Sequence, residues 1–223
     1  MNSQVERTTL TLCCARPLQD HEATQLRGFF GGRYRNRPEF HHHGQAGLIY
    51  RHPLVQYKTI GGVGRVAGIG AGSFLLQAVD SPRTLTLNGE TVEVLDTHRH
   101  TEVVAFGPVE GDIEYRFLTP WLALNEENYQ TYKQMRLKTQ RSELLNRVLV
   151  GNLLSLCKSL DIEVTDRLRA EVSVDGTEEV KIKQDVSLLG VRGTFRVNFT
   201  IPEMWGIGKQ SARGFGTVHR IGG

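Results

Sequence analysis

Tyr50 stands seven residues after His43, the last of three consecutive histidines that begin at His41. The ordinary pKa of histidine is about 6.5, so histidine exchanges protons near neutral pH, and a tyrosine hydroxyl nearby orients or donates a proton. RNA supplies its own nucleophile, the 2′-hydroxyl. A site acting on RNA therefore needs only proton transfer and stabilisation of the charge that develops on phosphorus, and this segment is a candidate for that chemistry.

A metal site is the alternative interpretation of the histidine run. Adjacent histidines do not share the i, i+4 face with which a helix binds zinc, and no Cys, Asp or Glu stands near them at ligand spacing. We therefore expect no metal and no other cofactor. A metal-dependent hydrolase remains the alternative enzyme class.

A glycine-rich segment, residues 206–216, is the second candidate site. Its sequence, GIGKQSARGFG, is not a Walker A motif, and it connects two expected strands, whereas a nucleotide-binding G-x-G-x-x-G opens a helix. Exposed backbone N–H groups beside cations suit a nucleic-acid backbone, while a tight turn between edge strands is the structural alternative. The candidate binding residues are Gly206, Gly208, Lys209, Ser211, Arg213, Gly214 and Gly216.

Positive charge and glycine are concentrated in the same two segments. Residues 27–72 carry +6 and residues 204–223 carry +3, so a net charge of +3 leaves −6 for the rest of the chain. These two segments also hold 17 of the 24 glycines. Because glycine lets backbone approach a ligand and basic side chains attract phosphate, the coincidence predicts a polyanion site. A solvated surface with an accidental charge bias is the alternative.

The composition is that of an ordinary globular protein. Hydrophobic residues make up 39% and charged residues 23%, and no apolar stretch approaches the roughly 18 residues of a membrane span. The first residues lack the basic and apolar regions of a secretory signal, and three cysteines form no Cys-x-x-Cys pair. We expect a cytoplasmic protein that has no disulfide framework and does not contact membranes.

The first half of the chain shows a β–α opening followed by strands, a helix and further strands. Asp20 is the expected N-cap of the first helix, and Asn88-Gly89 is a hairpin turn signal. The expected helices cover residues 20–30 and 73–79. The expected strands cover residues 8–14, 48–50, 54–60, 65–69, 84–87, 91–95 and 102–106.

The second half begins after Gly-Pro and Gly-Asp dipeptides in residues 107–112, which we interpret as a break. Helices are expected over residues 126–135 and 142–160, and strands over residues 113–118, 169–174, 179–183, 188–191, 193–199 and 216–221. Both halves are α+β. The expected architecture is two ferredoxin-like (RRM-like) domains in tandem, residues 1–110 and 111–223, the second with a helical insertion and the glycine-rich segment.

Both candidate sites resemble one family. The glycine-rich segment after an Ile-Pro dipeptide is similar to the C-terminal loop of the RAMP superfamily, and within it to the CRISPR-associated endoribonucleases that cut repeat RNA, with one extra residue after Ser211. FHHH at residues 40–43 and YRHPLVQYK at residues 50–58 resemble the N-terminal His-Asn-His run and following stretch of one subgroup. His42 and His52 stand where that subgroup has Asn and Tyr.

The resemblance implies a metal-independent endoribonuclease that cuts precursor CRISPR RNA into guide RNAs, leaving 2′,3′-cyclic phosphate and 5′-hydroxyl ends. It implies His43 and Tyr50 as the catalytic pair, with His41 in reserve. Lys58 or Arg51 is expected to stabilise the charge on phosphorus, and Arg51 to bind RNA, although solvated cations on a strand face are an equally good interpretation.

Repeat RNA is the expected partner, with CRISPR effector subunits and a second copy of the chain as further candidates. A non-catalytic subunit that holds repeat RNA in an effector complex is the alternative function. A basic stretch in the second half provides a candidate surface for an RNA stem, although a solvated helix surface is the simpler interpretation. That stretch contains Lys133, Arg136, Lys138 and Arg141.

Overall fold

A computed structural model describes residues 3–35, 52–183 and 186–222, together with the backbone of residues 43–44 and 47–48. The chain divides into two compact units. The N-terminal unit consists of Gln4–Val104 and Ala212–Gly214, and the C-terminal unit consists of Met1–Ser3, Ala105–Ser211 and Phe215–Gly223. The division falls after residue 104, where the sequence suggested residue 110, and three residues of the glycine-rich segment belong to the N-terminal unit.

The N-terminal unit follows the β-α-β-β-α-β order of a ferredoxin-like fold. Its elements are β1 (Ser3–Cys14), α1 (Ala23–Arg33), β2 (His43–Gly44), β3 (Gly47–Leu48), β4 (Val55–Ile60), β5 (Val63–Ile69), α2 (Ala71–Gln77), β6 (Thr84–Leu87) and the first part of β7 (Glu90–Phe117). The main strands lie in the order β4-β5-β1-β7, with β6 paired to β7. The expected fold class is confirmed for this half.

The apolar core of this unit lies between its strands and α1, which explains why apolar and polar residues alternate along the strands. Leu10 and Leu12 of β1 and Tyr57 of β4 are fully buried in one cluster with Leu26 and Phe30 of α1. Leu26 and Phe30 are four residues apart and so share one face of the helix. The strands therefore present one apolar face to α1, which buries its own apolar stripe against it.

The start of α1 differs from the expected N-cap at Asp20. Residues Asp20–Glu22 form a 3-10 turn, and the α-helix begins at Ala23. The Glu22 carboxylate accepts a hydrogen bond from the backbone N–H of Gln19 at 2.7 Å and ion-pairs with Arg16 at 2.8 Å. Glu22 therefore satisfies the helix entrance, and the Arg16 guanidinium lowers the pKa of its carboxyl group.

The C-terminal unit repeats the same order of strands. Its elements are the second part of β7, α3 (Glu126–Gln134), α4 (Lys138–Ser159), β8 (Ala170–Lys183), β9 (Val186–Thr200) and β10 (Val218–Arg220). Antiparallel pairing gives the order β8-β9-β7-β10. In a ferredoxin-like fold a helix connects the third and fourth strands, and here residues 201–217 make that connection with only a 3-10 turn, Ser211–Arg213. The glycine-rich segment thus replaces a helix.

Three expected breaks lie inside continuous strands. β7 runs through residues 107–112 with a register shift between Pro108 and Ile113, and β8 shifts register between Val174 and Gly176. In β9, Gly193 takes a φ of +152°, and a Cβ there would lie 2.0 Å from the Ser173 carbonyl oxygen. Bulges and glycine absorb the extra residues without ending the ladder, so the expected separate strands are wrong at these points.

The helix α4 supplies the core of the C-terminal unit. Its stripe of leucines, Leu145, Leu149, Leu153 and Leu156, is fully buried. The helix is fixed against β8 because the Val172 backbone N–H donates to the side chain of Asn146 at 2.8 Å. α4 starts at Lys138, four residues before the expected start. No helix in the described part of the chain is long and apolar enough to cross a membrane.

Candidate nucleic-acid interface

Most of the predicted catalytic segment lies outside the described residues. His41, Tyr50 and Arg51 fall there, and for His43 the structure gives the backbone alone, which pairs with Leu48 in the β2–β3 ladder. Across the residues that are described, which exclude the histidine run, no three His, Cys, Asp or Glu side chains gather as a metal site requires.

Lys58 is described, and it lies in the interior of the N-terminal unit. Its side chain is 1% exposed, and its Nζ donates to Gln56 Oε1 at 2.6 Å. Gln56 Nε2 lies 3.2 Å from Nε2 of the buried His52. Lys58, Gln56 and His52 thus form one hydrogen-bonded chain that begins two residues after Tyr50. The interpretation of Lys58 as a solvated strand-face cation is wrong.

The chain His52–Gln56–Lys58 has a defined direction of donation. A carboxamide nitrogen has no free lone pair, so Gln56 donates and His52 Nε2 accepts, which leaves the His52 proton on Nδ1. Burial and, to a smaller extent, the positive charge of Arg7 together lower the pKa of Lys58 to about 7. The Lys58 amine carries N–H groups in both its charged and its neutral form, so it donates to Gln56 in either state.

Two glycines of the glycine-rich segment, Gly208 and Gly216, are packed tightly within the C-terminal unit. Gly208 has a φ of +83°, and a Cβ there would lie 2.6 Å from Nε1 of the buried Trp121. Gly216 has a φ of +61°, and its Cβ would lie 2.0 Å from the Ile207 carbonyl oxygen. The Ile207 N–H in turn donates to the Gly216 oxygen at 3.0 Å. Gly216 therefore allows the two ends of the segment to hydrogen-bond to each other, and Gly208 allows the backbone to pack against the indole ring of Trp121.

The polar residues of the segment differ in exposure. Lys209 is exposed, and its backbone N–H donates to the Leu122 oxygen at 3.1 Å. Ser211 is 1% exposed, and within the described residues its buried hydroxyl oxygen has no hydrogen-bond partner; the same holds for the buried Nε of Arg213. A buried polar atom without a partner costs free energy, so the Ser211 hydroxyl and the Arg213 Nε–H are suited to donate a hydrogen bond to a ligand.

Arg213 lies beside another arginine, Arg27 of α1. Next to Arg213, Gly214 takes a φ of +89°, and its Cβ would lie 3.1 Å from the Tyr57 oxygen and 3.3 Å from the Cβ of Ala23. Ala23 and Arg27 are four residues apart, so they share one face of α1. Burial lowers the pKa of Arg27, and the positive charge of Arg213 lowers it further. Two neighbouring guanidinium groups attract an anion that neutralises both.

The sequence offers Lys58 as a site residue, but it does not identify Arg27, Gln56 or His52 as site residues. Arg27 is one of the cations of the first basic segment, and its spacing from Ala23 follows from helix geometry. Nothing in the sequence places residue 213 beside it, because the two are far apart in the chain. Sequence spacing therefore identifies only those candidate site residues that lie close to one another in the chain.

Two family domains match the chain in order. The Cas6b N-terminal domain matches residues 3–103, and the Cas6b C-terminal domain matches residues 107–221. A crystal structure of Cas6b is 30% identical with a TM-score of 0.89, and both chains are covered almost completely, 98% of this chain and 100% of that one.

Two further relatives are similar. A crystal structure of the CRISPR RNA processing endoribonuclease Cas6b is 28% identical with a TM-score of 0.75, over 98% of this chain and 100% of that chain. An uncharacterised protein of Methanocaldococcus jannaschii is 40% identical over 139 residues, which are 62% of this chain and 93% of that protein.

Proposed function

This chain belongs to the Cas6b family, and from that premise we propose that it is a metal-independent endoribonuclease that binds CRISPR repeat RNA and cuts the precursor into guide RNAs. The observation that carries the proposal is the likeness, over nearly the whole chain, to a solved protein described as a CRISPR RNA processing endoribonuclease. Both halves of the chain take part in that likeness, so it is not a match of fold in one domain alone.

The proposed reaction is attack of a 2′-hydroxyl on the adjacent phosphorus. His43 removes the 2′-proton or protonates the leaving 5′-oxygen, and Tyr50 orients the reacting group. The new bond joins O2′ to phosphorus, the bond from phosphorus to O5′ breaks, and the proton taken from O2′ is balanced by the one given to O5′. The products are a 2′,3′-cyclic phosphate and a 5′-hydroxyl. His41 takes the place of His43 if the latter is not the acid–base residue.

Lys58 acts in this proposal as a positioning residue. Its amine is buried and hydrogen-bonded to Gln56, so in this proposal it does not contact the reacting phosphate. It instead stabilises the position of β4, the strand that follows the catalytic segment. The hydrogen bonds that link Lys58, Gln56 and His52 hold the His52 side chain in place. Because His52 follows Tyr50 by two residues in the sequence, we assign to this hydrogen-bonded chain the role of positioning Tyr50. Arg51, one residue after Tyr50, remains the proposed cation for the charge on phosphorus.

The RNA backbone is held by cations of the glycine-rich segment and α1. Lys209 is exposed, and Arg213 acts electrostatically on Arg27, so we assign one phosphate to these two arginines. The Ser211 hydroxyl donates to a phosphate oxygen. Gly208 and Gly216 contribute by holding the segment in shape, since their Cα atoms pack against Trp121 and Ile207.

Cleavage of labelled repeat RNA in EDTA tests the proposal. We expect cleavage to persist in the chelator and the 5′ product to end in a cyclic phosphate. Loss of a general acid–base group typically costs about 10²–10⁴-fold in rate, so His43→Ala and Tyr50→Phe should each slow cleavage at saturating protein by about 100-fold or more. His98→Ala, which removes an exposed histidine of β7, is the matched control and should cleave at the wild-type rate.

The outcomes separate the alternatives. RNA that binds but is never cut identifies a non-catalytic subunit of an effector complex. Cleavage that stops in EDTA and returns with a divalent metal identifies a metal-dependent hydrolase. If cleavage persists in EDTA but both variants keep the wild-type rate, the endoribonuclease stands and the assignment of His43 and Tyr50 is wrong.

A further inference from the structure

A cleft of about 440 Å³ lies within the C-terminal unit, between the turn from α3 to α4 and strand β8. One wall comes from Tyr132 near the end of α3 and from Lys138 and Arg141 at the start of α4. The other wall comes from residues 172–177 of β8. Clefts of this size take small molecules or single groups of a polymer.

An arginine–tyrosine stack forms the first wall. The Arg141 guanidinium carbon lies 5.0 Å from the centroid of the Tyr132 ring. Nε of Arg141 also donates to the Met135 carbonyl oxygen at 3.1 Å, which fixes the plane of the guanidinium. Nucleobases stack on tyrosine rings and on guanidinium planes, and each such stack is worth about 1–3 kcal/mol in single-stranded binding.

Core packing does not account for this aromatic wall. α3 is described in full, and none of its side chains is buried. Residues 132–142 include four cations, at positions 133, 136, 138 and 141, and no acid. An exposed helix end that combines an aromatic ring with positive charge is suited to a polyanion whose units carry flat rings, which is the chemistry of RNA.

The second wall contains a carboxylate. Asp175 lies at the register shift between Val174 and Gly176 of β8, and it lines the cleft. A carboxylate repels phosphate but accepts hydrogen bonds from the amino group of a base, as Asp does with N4 of cytosine. The interior of the cleft therefore suits a base, while Lys138 in the first wall suits a flanking phosphate.

We propose that this cleft holds one unpaired, amino-bearing base of the repeat RNA, stacked on the Arg141–Tyr132 pair and donating its amino group to Asp175. The inference rests on the proposed function, since it takes the same RNA as ligand. It adds a recognition site that belongs to the C-terminal unit alone and that reads a base, whereas the glycine-rich segment holds phosphates.

Fluorescence of 2-aminopurine placed at each position of the repeat in turn tests this site. The RNA carries a 2′-deoxy residue at the cleaved position, so binding is measured without cutting. We expect one position at which wild-type protein quenches the fluorescence severalfold. Tyr132→Ala and Arg141→Gln should abolish that quench and raise Kd about fivefold to 100-fold, while Tyr132→Phe keeps the ring and the quench.

Tyr129→Ala is the matched control. Tyr129 lies one turn earlier on α3 with the Lys133 amine 4.6 Å from its ring centroid, and it does not line the cleft. It should bind and quench as wild type does. If Tyr132→Ala quenches normally, or if Tyr129→Ala loses the same quench, the cleft is not the base site.

Base preference provides a second measurement that does not depend on the stability of a tyrosine variant. At the quenched position, cytidine should bind the wild-type protein more tightly than uridine, which has no amino group. Asp175→Ala should remove that preference, and a preference that survives the substitution would overturn the role of Asp175. Wild-type protein that cuts repeat RNA but shows no position with Tyr132-dependent quenching refutes this inference and leaves the proposed function intact.

Discussion

Lys58 is a basic side chain that folding removes from water, and this loss of hydration lowers its pKa. Burial lowers that pKa to about 7, whereas an unfolded lysine titrates near 10.4. Between these values the unfolded chain binds more protons than the folded chain at this residue. The free energy of unfolding therefore rises with pH in this window, by at most about 1.4 kcal/mol per pH unit.

The pH dependence of stability tests this property of Lys58. Urea unfolding of the wild-type protein, compared with Lys58→Met, should show a relative gain of about 2 kcal/mol for the wild type between pH 7 and pH 9. The Met variant keeps a similar length of side chain and removes the titrating group. Equal pH slopes for the two proteins would show that Lys58 is solvated and has an ordinary pKa.

Arg27 and Arg213 are proposed to bind an RNA phosphate, and in the free protein their like charges repel each other. Their like charges are neighbours, and a phosphate relieves the repulsion. Arg213→Gln should therefore raise Kd for repeat RNA about tenfold while leaving the free protein as stable as the wild type or more stable. Fluorescence anisotropy and thermal unfolding measure the two effects.

Arg83→Gln is the control for Arg213→Gln, because Arg83 is an exposed arginine of the N-terminal unit outside the proposed site. It should change neither Kd nor stability beyond the general loss of one surface charge. A loss of stability in Arg213→Gln without a change in Kd would make Arg213 a structural residue.

At the scale of the residue, the sequence indicates the chemistry of a side chain but not its environment. The types and spacing of His43, Tyr50 and Lys209 indicate acid–base and phosphate-binding roles, and these roles stay predictions. The alternation of β4 also predicts that Gln56 and Lys58 share a face. It does not predict that this face is buried, because burial depends on what the rest of the fold places over it.

At the scale of the element, the glycine-rich segment acts as a rigid connection in place of a helix. Gly216 combines a positive φ with a carbonyl oxygen where a Cβ would stand, 2.0 Å away. Gly89 has a positive φ of +83° in the β6–β7 turn, with no atom within 4 Å of such a Cβ. Both positions have a left-handed backbone that strains any residue with a Cβ, but only at position 216 would that Cβ also clash with a neighbouring atom.

Alanine substitutions separate strain from contact. Gly89→Ala should cost about 1 kcal/mol of the free energy of unfolding, the price of a left-handed backbone for a residue with a Cβ. Gly216→Ala should cost about 3 kcal/mol or more, since the Ile207 carbonyl must move. Urea unfolding measures both, and equal losses would mean that the segment relaxes easily around position 216.

The element boundaries show where local signals fail. The Asn88-Gly89 turn and the α4 stripe are predicted well because each signal acts within a few residues. The breaks expected at residues 107–112 and at Arg192 are wrong because Gly and Pro also occur at bulges, and only the partner strand decides between a bulge and an end.

At the scale of the whole molecule, the charge is divided between two basic segments and an acidic remainder. Each phosphate contact from the basic segments contributes about −0.7 to the slope of log affinity against log salt for single-stranded RNA. Replacing Lys209 and Arg213 together by Gln should reduce that slope by about 1.4. Titrations at several potassium chloride concentrations provide the slope, and affinity independent of salt would contradict the assignment of these segments.

Because residues 212–214 belong to the N-terminal unit, that unit is completed late in the synthesis of the chain. A ribosome makes Gln4–Val104 first and adds Ala212–Gly214 only after the whole intervening C-terminal sequence. The nascent N-terminal unit therefore lacks Arg213 and the Gly214 contact with Tyr57 throughout that interval. The proposed phosphate site at Arg27 and Arg213 is complete only when residue 213 has been made, so by this proposal a nascent chain does not bind RNA there while its second unit is still being translated.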